Sequence, residues 1–172
     1  IKRLEKVMES EQNASFFLEY IDLLILTGDY KKALMTLAEL KRAGYEADEF
    51  QARMKKTVDL YEHELEMYLE MEEPALETYL DLGEIYVYKK RYNEAFLLFQ
   101  SAIQQYPDEE QIKKYYQYLI KKNIEVYEML LKTDARTMIY YNLAVLYAIS
   151  GRRSEMFRML EKAVTKDKTL AI

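Results

Sequence analysis

Between Leu82 and Ala102, aromatic, small and aliphatic residues recur at three- and four-residue steps on both sides of a polar break, Lys89-Lys90-Arg91. Such spacing puts them on one face of each of two helices, and so short a break folds the second helix back on the first. Gly83, Ala95 and Ala102 are small where two helix backbones would approach closely, while Tyr86, Tyr92 and Phe99 would fill the spaces between. Pro107 closes the segment, since proline cannot continue a helix.

The pattern returns twice. Around Gly28 the chain carries Phe17, Tyr20, Ile21 and Leu24, then Tyr30, Ala33, Leu37 and Leu40. Around Gly151 it carries Tyr140, Leu143, Ala144 and Tyr147, then Met156, Leu160 and Ala163. This order resembles the tetratricopeptide repeat, a helix–turn–helix unit of about 34 residues. The copies depart from that pattern at named positions. Ile21 stands where a small residue is usual, which predicts a slightly wider helix pair. In the third copy Arg153 replaces the turn aromatic, Met156 replaces the small alanine, and Lys168 stands where proline is usual. The resemblance implies an all-α fold, a superhelical solenoid of antiparallel helix pairs forming a single array, with repeat-like units at 14–46, 75–108 and 136–168.

The turn landmarks Gly28, Lys90 and Gly151 lie 62 and 61 residues apart, nearly twice one repeat. Two intervening segments, 47–73 and 109–134, therefore read as degenerate helical spacers. The first holds Phe50, Met54, Val58, Tyr61, Leu65 and Leu69 at helical spacing and predicts one long helix. The second holds Ile112, Tyr115, Tyr116, Leu119, Val126, Leu130 and Leu131 and predicts a bent or broken helix near Lys122. A related string begins at Lys55 and again at Lys121, an internal echo between the spacers.

Composition agrees with this reading. The chain has only four glycines and two prolines, and a helical-hairpin scheme places all six in turns, helix ends and one close contact. No apolar run approaches the roughly 20 residues needed to cross a bilayer. The absence of cysteine excludes disulfides, thiolate metal sites and a cysteine nucleophile. A net charge of −5 argues against nucleic acid, where a basic stripe is expected. Richness in lysine, glutamate, isoleucine and tyrosine suits a bacterial source. The chain begins at isoleucine and ends just after a repeat, as a piece of a longer protein would, so a missing leader assigns no compartment.

Catalytic constellations are missing from the pattern, and no enzyme, cofactor or metal site is expected. His63 is the only histidine, and His63-Glu64-Leu65-Glu66-Met67 has methionine where a zinc-protease helix needs its second histidine. The carboxylates Glu62, Glu64, Glu66, Glu70, Glu72 and Glu73 read as the solvated side of a helix.

The resemblance implies a protein-binding scaffold whose concave groove is lined by the first helix of each unit. It places Leu18 and Asp22 there from the first copy, Leu80, Glu84, Val87 and Tyr88 from the second, and Tyr141, Val145 and Ile149 from the third. The alternative is that the spacers cover these residues. Members that clamp a partner's terminal carboxylate use lysine, asparagine and arginine, whereas the matching positions here are Leu18, Asp22, Asp81, Met138 and Asn142. Aspartate would repel such a group. Two other roles fit: a regulatory domain of a larger bacterial enzyme or signalling protein, and a self-associating module. The last helix, 154–166, carries Phe157, Leu160 and Val164 with no capping helix after it, which suits a homo-oligomer.

Overall fold

Residues 11–45 and 47–166 are described by the computed structural model, with side chains from residue 15 onward. They form α1 (Glu11–Leu26), α2 (Tyr30–Arg42), α3 (Asp48–Leu69), α4 (Leu76–Tyr88), α5 (Tyr92–Gln105), α6 (Glu110–Leu130), α7 (Thr137–Ile149) and α8 (Arg153–Lys166). No strand occurs among the described residues. The fold is all-α, built from antiparallel helix hairpins. The helices gather into two compact units, Ile1–Pro74 and Ala75–Ile172.

In the first unit α1 turns into α2 at Gly28, whose φ of 79° is a left-handed conformation. The amide of Asp29 donates to Leu24 O at 2.9 Å, closing α1, and the Asp29 carboxylate caps α2 by accepting from Lys32 N at 3.4 Å. Leu18, Ile21, Leu24 and Ile25 from α1 meet Ala33, Leu37 and Leu40 from α2, with Phe50 of α3 completing the core. Helix α3 is continuous over 22 residues. One face of it buries Thr57, Val58, Tyr61, Glu62 and Leu65. Glu62 thus departs from the solvated acidic run expected of it, because its helical register falls on that packed face.

In the second unit α4 turns into α5 at Lys90, with φ of 59°. The Arg91 amide donates to Tyr86 O at 2.8 Å and the Lys90 amide to Val87 O at 3.0 Å. Gly83 does not face a backbone, as spacing predicts, but the ring of Phe99: a Cβ at 83 would overlap Cε2 and Cζ. Phe99 in turn stacks on Tyr115 of α6, centroids 5.0 Å apart and planes 9° from parallel. Phe96 and Tyr116 form a second stack, at 5.1 Å and 16°. These contacts clamp α6 to α5, and fully burying Phe99 contributes roughly 1.5–3 kcal/mol.

Helix α6 is unbroken for 21 residues, correcting the break expected near Lys122. The polar interruption is absorbed in place. Buried Asn123 donates its amide to Leu119 O at 3.0 Å within the helix and to Tyr92 O at 2.9 Å on α5. Lys122 meanwhile pairs with Glu125 at 2.7 Å on the exposed side. Beyond α6, Asn142 of α7 donates to Tyr127 Oη at 3.2 Å, and Tyr147 donates to Glu128. Burial, then the Glu128 hydrogen bond, push the Tyr147 hydroxyl up to about 12. The α7–α8 turn at Gly151 repeats the α4–α5 closure, with Arg152 over the Tyr147 ring as Arg91 lies over Tyr86.

The two units share a register of 62 residues. Arg53 reaches Asp22, and 62 positions later Tyr115 reaches Glu84. Tyr61 packs on Tyr30, and 62 positions later Asn123 donates to Tyr92. Hence α1–α2–α3 and α4–α5–α6 are equivalent three-helix modules, and the spacer helices belong to them. The echo between Lys55 and Lys121 is offset by 66 residues, one helical turn out of this register, which keeps the same face inward.

Candidate functional site

The trough between α4 and α6 is built by the module's own packing. Because Gly83 admits the Phe99 ring and Phe99 seats Tyr115, the Tyr115 hydroxyl arrives at Glu84 and donates to it at 2.6 Å. Burial, then this hydrogen bond, push the hydroxyl up to about 12, so Tyr115 stays neutral and serves as a wall. Val87, one turn beyond Glu84, faces Gln111, Lys114, Tyr115 and Tyr118 across a pocket of about 400 Å³. Its lining is almost wholly apolar and opens to solvent. Tyr88 stands beside Val87 at the end of α4, 60 % exposed. The Lys122 ammonium lies over the Tyr118 ring, 5.9 Å from its centroid.

The groove residues expected from sequence meet different fates. Leu18 is buried in the first unit's core and cannot touch a partner, which corrects its assignment. Asp22 is held bidentately by Arg53 of α3, at 2.7 and 2.9 Å, while its side chain stays half exposed. In the second unit Leu80 is half-buried and Glu84 is engaged by Tyr115. Val87 is the α4 residue that lines the pocket, and Tyr88 follows it as an exposed side chain. Tyr141, Val145 and Ile149 are exposed on α7 and, with Met138, form a stripe along that helix. Helix α7 packs chiefly on α6 and α8. The repeat signature does not mark Gln111, Lys114, Tyr115 and Tyr118, because α6 falls outside it. The pattern Gln111, Lys114, Tyr118, Lys121, polar and aromatic along one face of a helix, was the available signal.

This hairpin matches a known sequence family: the tetratricopeptide repeat model covers residues 76–109. Residues 76–109 are a tetratricopeptide repeat. Tetratricopeptide repeats are generally non-catalytic modules that bind protein or peptide partners. Two solved structures are similar to the chain at a low level. One is MamA MSR-1 C2, 17 % identical, covering 90 % of this chain and 97 % of that one, with a TM-score of 0.34. The other is YrrB, described as a TPR protein with an unusual peptide-binding site, 17 % identical over 99 % of this chain and 94 % of that one, TM-score 0.33. No curated protein matches the chain. Among the described residues no helix is long and apolar enough to cross a membrane, and no cluster of three or more histidine and carboxylate groups could hold a metal.

Proposed function

We propose that the chain is a non-enzymatic scaffold that binds a segment of a partner protein in the α4–α6 trough. The observation that carries this reading is the open apolar pocket formed by Val87 with Gln111, Lys114, Tyr115 and Tyr118. Its walls are preorganised, since Tyr115 is fixed by a stack on one side and a hydrogen bond on the other. Ordering the groove in advance lowers the entropic cost of binding. Burial of one aliphatic or aromatic anchor from the partner contributes roughly 1.5–3 kcal/mol, and exposed tyrosine beside such a pocket is a favoured anchor type.

The test uses a partner captured by the full-length protein and then purified. Val87→Arg and Tyr118→Ala should each weaken its affinity at least about tenfold, a loss of roughly 1.4 kcal/mol, without changing the helical circular dichroism signal. Unchanged affinity in both would rule the trough out. Tyr88→Ala and Tyr141→Ala, measured singly, separate the two exposed patches, because Tyr88 follows the pocket residue Val87 on α4 while Tyr141 lies on α7.

A second reading rests on α7 and α8. The stripe Met138, Tyr141, Val145, Ile149 and the 55 % exposed Phe157 form apolar surface on the terminal hairpin. Self-association through this hairpin predicts a mass that rises with concentration in light scattering. A constant monomer mass at high concentration excludes it.

A further inference from the structure

The trough has a chemical bias that goes beyond apolar capture. Lys114 lines the pocket, and Lys121 lies on the same side of α6 two turns further on. Both are exposed, and neither has an ion-pair partner among the described residues. Two carboxylates of α6 are already ion-paired: Glu110 with Lys113 at 3.3 Å and Glu125 with Lys122 at 2.7 Å. Glu84, on the α4 side, accepts from the neutral Tyr115 hydroxyl and keeps its negative charge. The chain as a whole is acidic, at −5, yet this strip of α6 presents uncompensated positive charge beside an apolar pocket.

The first module shows that the bias belongs to the second alone. In the shared 62-residue register its trough positions are Ile25, Glu49, Ala52, Arg53 and Lys56. There the one arginine is spent: Arg53 is bound to Asp22 at 2.7 Å and lies 3.6 Å from Glu49. In the second module tyrosine replaces that arginine and donates from a neutral hydroxyl to Glu84, while Gln111, Lys114 and Lys121 stand in the register of Glu49, Ala52 and Asp59, so this strip of α6 loses two acidic groups and gains two lysines.

Resting on the reading that the α4–α6 trough binds a partner segment, we propose that the segment is an acidic peptide: an aliphatic or aromatic side chain fills the pocket beside Val87 and Tyr118, and a neighbouring aspartate or glutamate pairs with Lys114, with Lys121 extending the attraction along the segment. The apolar anchor supplies affinity, and the carboxylate supplies orientation and selection against basic segments.

The experiment selects phage-displayed random peptides on the full 172-residue chain. The enriched sequences are then synthesised with a fluorescent label and measured by anisotropy. Enriched peptides should combine a large apolar residue with an aspartate or glutamate close by. Lys114→Glu should weaken them about tenfold or more, Lys114→Met by less, and raising the salt should weaken the original chain more than Lys114→Met. Val87→Arg should abolish binding of every such peptide. If Val87→Arg abolishes binding but Lys114→Glu and Lys121→Glu leave Kd within about twofold, or if the enriched peptides lack acidic residues, the trough reading stands and the acidic assignment falls. If no peptide is enriched, or Val87→Arg has no effect, the trough reading itself falls and takes the assignment with it. All four substitutions lie outside the fully buried core, and thermal melts confirm that each variant folds.

Discussion

The two three-helix modules solve the same packing problem with different residues. Where the second module sets Gly83 against Phe99, the first sets Ile21 and Leu37 in the same register, all but flush with zero exposure. The bulk added at 21 is withdrawn at 37, which removes the reason to expect a wider pair in the first hairpin. Where the second module bridges its first and third helices by Tyr115 and Glu84, the first uses Arg53 and Asp22. Where the first turns at Gly28, the second forces Lys90 into the left-handed region. Core volume and the position of the bridge are kept, while the chemistry of the bridge is free to change. That freedom leaves the first module bridged by an ion pair and the second by a hydrogen bond beside an apolar pocket.

The sharpest way to break the comparison is to mix the two cores. Gly83→Ile alone should destabilise the second unit by about 1–3 kcal/mol through overpacking against Phe99. Adding Phe99→Leu, which installs the first module's pair, should recover a good part of the loss in urea denaturation. If the double variant is no better than the single, the two positions do not exchange volume as argued.

Next in size is the response to alkali. Tyr115 and Tyr147 both have hydroxyls raised to about 12 in the fold. An acid whose folded value lies above its unfolded value, about 10, stabilises the fold fully below pH 10 and loses that contribution as pH rises through 12. The melting temperature should therefore drop across that window. Tyr115→Phe with Tyr147→Phe should flatten the drop, and an unaltered pH profile would show the two hydroxyls are not its source.

Lys90→Gly should raise stability by about 1 kcal/mol, since glycine enters the left-handed region without the Cβ penalty. The same residue exchange in reverse, Gly28→Lys, should cost a similar amount in chemical denaturation. Smallest of all, Asp22→Ala should cost only about 0.2–1 kcal/mol, because the pair with Arg53 is half-exposed and screened. A loss well above that range would mean the bridge carries more of the first module than its exposure suggests.

Much of this architecture was legible because its signals are local. Gly28, Gly151 and the break at Lys90 mark turns by backbone requirement, and the alternation of Tyr86, Ala95, Phe99 and Ala102 marks faces by period. What escaped depended on tertiary packing. The Lys121-Lys122-Asn123 string reads as an interruption until Asn123 is seen to find Tyr92 O and Leu119 O. Leu18 has the position of a groove residue, yet in this module that position packs into the core. The pocket-lining side of α6 was hidden for a different reason. A helix outside the repeat signature has no assigned role, so nothing local marks Lys114 and Tyr118 as the wall of a pocket.

The most direct test of the account is an amide chemical-shift titration of the full chain with an enriched peptide. The trough model predicts shifts concentrated at Val87, Tyr88, Lys114 and Tyr118, with α7 and the first unit quiet. Shifts confined instead to Met138, Tyr141, Val145 and Ile149, or to residues of α1, would contradict it.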